Sequence, residues 1–308
     1  MTKESPRLLA RAARHPAPSM DPTTAPEPAL RGILPSMGIR AGDVDRRSNL
    51  TPREFREEYL KPKLPLILQG EVEQWPAYRK WTLDFFREEY GQLEMPTGVC
   101  FDDKQSLPMA DFIDYVLEHA EQYAESSGGE IPRYIEGWYF RDEQPELMQD
   151  FRMPPCFGDD WFKTRYPKKI APNATGILIG STGSYTKLHA DGQYSHNWLA
   201  QISGRKRWML IDGHQIDPVF KTYAEAAGEY EGIDHPDMQA FLEKNEVRYR
   251  ECVTEPGDVL FFPSRVFHQV VGLEPSVSLT HNWFNQSNAA RVYWQMFKLK
   301  LRGILGRD

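Results

Sequence analysis

Short apolar segments separated by turn residues fill the second half of the chain, from about residue 133 onward. The breaks at residues 203–204, 212–213 and 255–258 are built from Gly, Pro, Ser, Asp and Glu. Many short strands with regularly spaced turn signals are typical of a β-sandwich or a jelly roll. The segments that we predict to be strands are residues 177–179, 198–202, 207–211, 259–262, 270–271 and 277–279, with an earlier one at 64–68.

The region before residue 133 shows helical patterns instead. Thr51, Pro52 and Glu54 are placed as the N-cap, the first helical residue and the capping-box partner of a helix. A second helix is predicted after Thr82. Residues 112–120 carry apolar side chains at the spacing of one helical face, which predicts a third helix.

These patterns divide the chain into three parts. Residues 1–32 are rich in Pro, Ala and Arg and show no periodicity, so we predict a disordered tail. Residues 33–132 are predicted to form a helical part that packs on a barrel, and residues 133–308 to form the barrel. Within the barrel, residues 213–246 are predicted to be an insertion between strands, and a C-terminal helix is predicted from Ser287.

The composition is that of an ordinary, mildly acidic globular protein. Charged residues make up 26% of the chain, and the formal net charge is -7 at pH 7. This balance argues against non-specific binding to nucleic acid, which needs a basic surface. No apolar run reaches the length of about 20 residues that a membrane span requires. The three cysteines, Cys100, Cys156 and Cys252, are far apart and odd in number, which indicates a reducing, cytoplasmic compartment.

Three residues form a candidate metal site. His189 and Asp191 are two positions apart in a segment predicted to be extended, so their side chains point to the same side. His268 follows a turn and an apolar strand at residues 257–263 and is the best candidate for a third ligand. Two imidazoles and one carboxylate leave coordination positions open, which suits a non-heme Fe(II) oxygenase. A structural zinc site would instead be closed by four protein ligands.

Other interpretations of these histidines stay open on the residues alone. A His-x-Asp triplet recurs by chance in many proteins. His214, His235 and His281 lie in the same half of the chain and could be ordinary surface or core residues. The sequence around the triplet therefore decides how much weight it carries.

Several motifs in a fixed order carry a resemblance to a known family. Residues 177–180 lead into the segment 186–191, residues 197–208 have the form strand-turn-strand, and residues 255–268 contain the second ligand segment. In these motifs the chain resembles the Jumonji-C (JmjC, cupin-like) family of Fe(II)- and 2-oxoglutarate-dependent oxygenases. Within that family it is most similar to the branch that includes the lysyl hydroxylase of eukaryotic translation termination factor.

The resemblance implies a double-stranded β-helix and a set of co-substrate residues. Lys206 matches the lysine that pairs with the distal carboxylate of 2-oxoglutarate, and Thr186 matches a hydroxyl that assists it. Tyr134 matches a tyrosine of the co-substrate pocket, while Asn197 and Asn282 match polar positions near its iron-bound end. Without the resemblance, Lys206 would be a solvated turn lysine, Thr186 an ordinary strand residue and Tyr134 a core aromatic. Further candidates for the cavity lining are Tyr185, Tyr194, Trp198 and Trp283.

The implied reaction couples oxidative decarboxylation of 2-oxoglutarate by O₂ to hydroxylation of an unactivated C–H bond. A protein or peptide side chain is the favoured substrate, with lysine preferred. Hydroxylation of a free amino acid or natural product and demethylation of an N-methyl group stay open. The non-enzyme alternative is an inactive cupin-like binding protein, although loss of activity usually shows as a missing ligand and none is missing. The C-terminal helix either forms a homodimer surface or packs on its own sheet.

Overall fold

Fourteen strands are present in the part of the chain that a computed structural model describes, residues 39–99, 102–126, 131–165, 173–191, 194–211, 243–294 and 296–297. The strands are β1 (Ile39–Asp43), β2 (Asp45–Ser48), β3 (Leu66–Gln69), β4 (Glu94–Val99), β5 (Asp102–Pro108), β6 (Tyr134–Trp138), β7 (Thr175–Gly180), β8 (Tyr185–His189), β9 (His196–Ser203), β10 (Lys206–Ile211), β11 (Arg248–Thr254), β12 (Val259–Phe262), β13 (Phe267–Gly272) and β14 (Ser276–Trp283). The helices are α1 (Pro52–Phe55, continued by a π turn at Arg56–Leu60), α2 (Pro76–Lys80), α3 (Leu83–Glu89), α4 (Met109–Ser126), α5 (Trp161–Thr164) and α6 (residues 289–294).

The strands form two sheets that pack against each other. One sheet has five strands in the order β1-β11-β10-β13-β8, and the other has nine in the order β2-β3-β12-β9-β14-β7-β6-β4-β5. From β7 to β14 the chain passes repeatedly between the sheets. Leu199 of β9 and Trp208 of β10 share one apolar cluster, so the sheets face each other. This architecture is a double-stranded β-helix, and the predicted mainly β jelly roll with N-terminal helices and a C-terminal helix is confirmed.

Alternation along the central strands separates an outer core from the inside of the barrel. On β9, Trp198 and Ala200 belong to the large cluster that the N-terminal helices cover, whereas Leu199 between them belongs to the cluster between the sheets. On β12, Phe261 and Leu260 divide in the same way. Strands buried on both faces read as continuous apolar runs, which explains the run at residues 259–262.

The N-terminal helices begin where the sequence predicts. Thr51 accepts a hydrogen bond from the Glu54 backbone while the Glu54 side chain returns to the Thr51 backbone, which completes a capping box. Thr82 caps α3 in the same position. The ring of Phe55 packs edge-on against Phe261 at a centroid distance of 4.8 Å, so α1 is held against the outer face of the nine-stranded sheet.

Strands from the N-terminal part extend both sheets of the barrel. Strand β1 pairs in parallel with β11, and β3 pairs with β12. The predicted division between residues 33–132 and 133–308 stays a prediction. The predicted tail at residues 1–32 and residues 213–242 of the predicted insertion lie outside the described residues. Among the helices that are described, none is both long and apolar enough to span a membrane.

Candidate metal and co-substrate site

Neighbouring strands of the five-stranded sheet bring the three candidate ligands together. His189 at the end of β8 pairs directly with His268 on β13, and their ring centroids are 4.1 Å apart. Asp191 lies two residues beyond the end of β8, where it approaches both rings. Its Oδ1 is 3.9 Å from the Nε2 atom of each histidine. The donor atoms of the three residues all lie within 4.8 Å of one another, so they could share one metal ion.

Hydrogen bonds to the backbone orient both imidazoles. The Nδ1 atom of His189 is 2.8 Å from the carbonyl oxygen of Lys187, and that of His268 is 3.3 Å from the carbonyl of Val266. A carbonyl can only accept, so Nδ1 is the protonated nitrogen and the Nε2 lone pair points toward Asp191. Burial and the neighbouring His189 lower the pKa of His268, which keeps that ring neutral, as a metal ligand must be.

Asp191 is half-buried, with a side chain that is 16% exposed, and has few partners in the described part of the protein. Its Oδ2 atom has no hydrogen-bond partner among the described residues. Burial raises the pKa of Asp191, whereas His189 and the Asn197 amide act in the opposite direction. A buried carboxylate is costly unless it is paired or bound to a metal. The orphaned oxygen beside two oriented imidazoles therefore fits a divalent cation, and this donor set is the one that non-heme Fe(II) prefers.

A β-bulge turns Thr186 toward the same cavity as His189. These two residues are three positions apart, so a regular strand would place them on opposite faces. In the structure His189 pairs with His268 and Thr186 pairs with Val270, so one extra residue on β8 is accommodated between the two pairs. Both side chains consequently line one cavity.

Lys206 is a buried cation at the start of β10. Its side chain is 1% exposed, whereas its neighbours Arg205 and Arg207 form ion pairs with Glu274 and Glu251. Alternation along β10 directs Lys206 into the barrel, and no carboxylate of the described residues is within ion-pairing distance of it. Burial lowers the pKa of Lys206 to about 7. The interpretation as a solvated turn lysine is therefore wrong, because the side chain is inside.

Tyr134, on the nine-stranded sheet, contacts Lys206 on the five-stranded sheet. Lys206 Nζ donates a hydrogen bond of 2.9 Å to the Tyr134 hydroxyl. The ring lies over Gly180 of β7, where an added Cβ atom would be 2.4 Å from the ring atom Cδ2. A glycine within a strand often marks such a close approach. Gly180 thus leaves the space through which the phenol reaches the cation.

Asn197 and Asn282 lie opposite the histidines, on the nine-stranded sheet. The two residues pair directly between β9 and β14, and the Asn197 Nδ2 group donates to Asn282 Oδ1. Thr280 completes the cluster, since its Oγ1 is 2.9 Å from Asn197 Nδ2. The cluster presents amide and hydroxyl groups to the metal end of the cavity.

One cavity of about 240 Å³ between the sheets is lined by all eight of the residues that the sequence analysis assigned to the metal and the co-substrate. The metal candidates and Lys206 are parts of its wall. The lining also includes Glu136, Tyr139 and Leu178, which the sequence analysis did not assign. Gly176 on β7 was the signal for Tyr139, whose ring lies over it. Among the aromatic candidates, Tyr185, Tyr194, Trp198 and Trp283 do not line this cavity.

A comparison with protein families agrees with this architecture. The cupin-like domain model matches residues 52–290, which is most of the chain. The chain therefore belongs to the cupin-like domain family. The resemblance to the Jumonji-C oxygenases is confirmed as well, since the similar curated proteins are proteins of that group.

Three similar proteins illustrate the range of the relatives. The arginine-specific demethylase JMJ20 of Arabidopsis thaliana is 28% identical over 85% of this chain and 62% of its own length. The 2-oxoglutarate and iron-dependent oxygenase JMJD4 of Gallus gallus is 27% identical over 85% of this chain and 64% of its own. The bifunctional arginine demethylase and lysyl-hydroxylase psr-1 of Caenorhabditis elegans is 28% identical over 80% and 62%, respectively. The chain thus spans less than two thirds of these relatives.

Proposed function

We propose that this chain is an Fe(II)- and 2-oxoglutarate-dependent dioxygenase that hydroxylates a C–H bond of a protein or peptide side chain, with lysine favoured. One observation carries the proposal. A single cavity has three oriented metal-binding side chains on one part of its wall and a buried cation, Lys206, on another. A keto acid with a second carboxylate is the kind of molecule that both parts could hold at once. Relatives named as iron- and 2-oxoglutarate-dependent oxygenases support this choice.

The residues of the site would have different roles, according to their positions in the cavity. His189, Asp191 and His268 would hold the iron, which supplies the oxidation chemistry when it is bound with O₂. Lys206 would hold the distal carboxylate of 2-oxoglutarate, because a buried carboxylate needs a cation or hydrogen bonds.

Neighbouring polar groups would complete the co-substrate pocket. Tyr134 would orient Lys206 and present its hydroxyl hydrogen to the same carboxylate, and Thr186 would add a second hydroxyl. Asn197 and Asn282 would contact the iron-bound end of the co-substrate. The apolar lining, including Leu199 and Trp208, would exclude bulk water from the reacting centre.

Stable hydroxylation is favoured over demethylation, but both outcomes use the same site. Among the relatives, psr-1 is named for both activities and JMJ20 for demethylation. A specific outcome can be assigned with model peptides. A hydroxylase leaves one oxygen atom on the substrate, whereas a demethylase releases formaldehyde. Turnover of free amino acids in preference to peptides would support the small-molecule alternative.

Anaerobic binding of Fe(II) and 2-oxoglutarate tests the proposal directly. We expect a weak visible charge-transfer band that requires both components and is lost in His189→Ala. Lys206→Ala should require much more 2-oxoglutarate for the same band, while Lys61→Ala, at an exposed lysine paired with Glu57, should behave like the wild type. A folded protein that binds metal but never develops the band would contradict the proposal and favour the inactive binding protein. Slow succinate formation without substrate would support the enzyme.

The setting of the protein is proposed on separate grounds. Cys156 and Cys252 are free thiols, which suits a reducing cytoplasmic compartment.

The stacked rings of Trp294 and Phe297 are each more than half exposed, near the end of the described part of the chain. This aromatic surface is the candidate contact for a homodimer, and light scattering of Trp294→Ser against the wild type would test it.

A further inference from the structure

Two tyrosines of one segment cover two glycines of β7. The ring of Tyr134 lies over Gly180, as described above. The ring of Tyr139 lies over Gly176, where an added Cβ atom would be 3.3 Å from the ring atom Cε1. Gly137 supports the other edge, since its added Cβ would be 3.0 Å from Cε2. Both rings line the same cavity.

The two rings mark opposite ends of that cavity. Tyr134 is 5% exposed and touches the buried Lys206, whereas Tyr139 is 50% exposed. Gly176 pairs with Thr280, which belongs to the polar cluster at the metal end. Burial and the charge of Asp191 both raise the pKa of Tyr139, which places its phenol within electrostatic range of that metal candidate. Tyr139 therefore stands where the metal end of the cavity opens to solvent.

The backbone holds Tyr139 in this place. Asn173 Nδ2 donates a hydrogen bond of 2.8 Å to the Tyr139 carbonyl, which ties the residue after β6 to the residues before β7. Gly137 and Gly176 have no side chains that would prevent the close approach of the ring, and the ring also lines the cavity. A half-exposed aromatic ring that is fixed in this way is suited to contact a substrate.

A carboxylate lines the same cavity from a position between the two tyrosines in the sequence. Glu136 is half-buried, lines the cavity and is near enough to Tyr134 to raise the pKa of that phenol, although burial contributes more. Among the described lining residues, the charged side chains other than histidine are Glu136, Asp191 and Lys206. Asp191 is placed to hold a metal ion and Lys206 to hold a carboxylate. Neither of these two roles is assigned to Glu136.

We propose that Tyr139 and Glu136 form the specificity wall of the site and select a cationic side chain of the substrate. The face of a tyrosine ring attracts an ammonium or guanidinium group, and a neighbouring carboxylate strengthens the preference for positive charge. This inference rests on the proposed function, because the wall is a wall of the same cavity. It assigns substrate selection to two residues that neither hold the metal nor contact Lys206.

Binding of a small probe near a paramagnetic ion tests the wall without any turnover. The protein is loaded with Mn(II) and 2-oxoglutarate, and proton line broadening is measured for Nα-acetyl-lysine amide and for Nα-acetyl-norleucine amide. The two probes share the butyl chain and differ in the ammonium group. In the wild type we expect the side-chain protons of the lysine probe to be broadened at least about fivefold more than those of the norleucine probe. A partly desolvated cation–π contact supplies a preference of this size.

Variants of the wall separate its charge from its ring. Tyr139→Leu keeps an apolar side chain without a ring face and should lose the preference, whereas Tyr139→Phe should retain it. Glu136→Gln should reduce it. Matched controls are Tyr293→Leu and Glu143→Gln, which change exposed residues outside the cavity and should behave like the wild type.

The outcomes distinguish this inference from the proposed function. If a protein that has bound both Mn(II) and 2-oxoglutarate broadens the two probes equally, or broadens neither of them, the specificity wall is contradicted. The proposed function is not affected by that result. A preference that persists in both Tyr139→Leu and Glu136→Gln contradicts the specificity wall too. Failure of the wild type to bind Mn(II) and 2-oxoglutarate together contradicts the proposed function, and the wall with it.

Discussion

The Lys206 ammonium donates a 2.9 Å hydrogen bond to the hydroxyl of Tyr134, a residue from a strand 72 positions earlier in the chain. Both side chains are almost completely buried, and the same cation also lies 5.1 Å from the centroid of the tyrosine ring. A phenol gives a buried ammonium only partial compensation, since it is neutral. An anion that enters the cavity would complete the pairing.

The affinity for 2-oxoglutarate should fall as the pH rises above 7. Burial lowers the pKa of Lys206 to about 7, so a growing fraction of the free protein is neutral above that pH. A bound carboxylate stabilises the ammonium form and raises its pKa, so binding takes up a proton. Between the two pKa values, we expect the dissociation constant to rise by up to about tenfold per pH unit. Calorimetric titration of the Zn(II)-loaded protein with 2-oxoglutarate, in buffers of different ionisation enthalpy, measures the dissociation constant and the number of protons taken up.

Arginine at the same position supplies the control for this pH dependence. Lys206→Arg keeps a positive charge at every pH of the titration, so its affinity should vary less with pH even if it is weaker overall. A wild-type dissociation constant that stays level from about pH 6.5 to 8.5 would show that Lys206 is already charged in the free protein.

Gly180→Ala should weaken co-substrate binding without affecting the metal. The added methyl group would lie 2.4 Å from the Tyr134 ring, so the ring must move and its hydrogen bond with Lys206 is strained or lost. A hydrogen bond to a charged group contributes about 1.5–3 kcal/mol, which corresponds to at least about a tenfold higher dissociation constant for 2-oxoglutarate. Calorimetry with 2-oxoglutarate and a separate metal titration measure the two effects.

Gly176→Ala is the matched control on the same strand. Its added methyl group meets Tyr139 rather than Tyr134, and at a longer distance of 3.3 Å. We expect its affinity for 2-oxoglutarate to match the wild type. Equal losses in both variants would point to a general distortion of β7 and not to the Tyr134–Lys206 contact.

Asp191→Asn should abolish metal binding while stabilising the metal-free protein. The substitution removes a half-buried charge whose Oδ2 atom is shielded from water and has no hydrogen-bond partner among the described residues. We expect the free energy of unfolding to increase by about 1–2 kcal/mol, because the desolvation cost of the carboxylate disappears. Urea unfolding in the presence of a chelator provides the measurement.

Asp160→Asn offers the opposite case. Asp160 is fully buried, and its carboxylate accepts a hydrogen bond from the Phe162 backbone and has Oδ2 3.1 Å from His281 Nε2. Its loss of charge should lower the free energy of unfolding by about 1–3 kcal/mol. Equal destabilisation of Asp191→Asn and Asp160→Asn would contradict the prediction. It would mean that the charge of Asp191 stabilises the metal-free protein.

Asp258 should be among the most sensitive positions outside the cavity. Its carboxylate accepts hydrogen bonds from Arg46, from Gln69 and from the Glu255 backbone, so it fastens the turn before β12 to β2 and β3. We expect Asp258→Ala to lower the free energy of unfolding by about 2 kcal/mol, because three partly exposed donors lose the buried acceptor that they share. Thermal unfolding compares it with Asp142→Ala, whose exposed carboxylate forms an ion pair with the preceding residue, Arg141.

Elements that depend on local interactions follow from the order of the amino acids alone. The capping box at Thr51 depends on residues three positions apart, and the apolar run of β12 reflects burial on both faces. The order of motifs also identified the metal candidates and Lys206, because type and spacing were enough to match a family.

Tertiary structure alone decided which side chains share the cavity. Thr186 and His189 are out of phase for a regular strand, and the bulge opposite β13 brings them to the same side. Glu136 and Tyr139 join the lining because β6 pairs with β7 and two glycines leave room for the rings. Burial of Lys206 likewise depends on strands distant in sequence. Strand pairing and desolvation act between such distant segments, so no local pattern could report them.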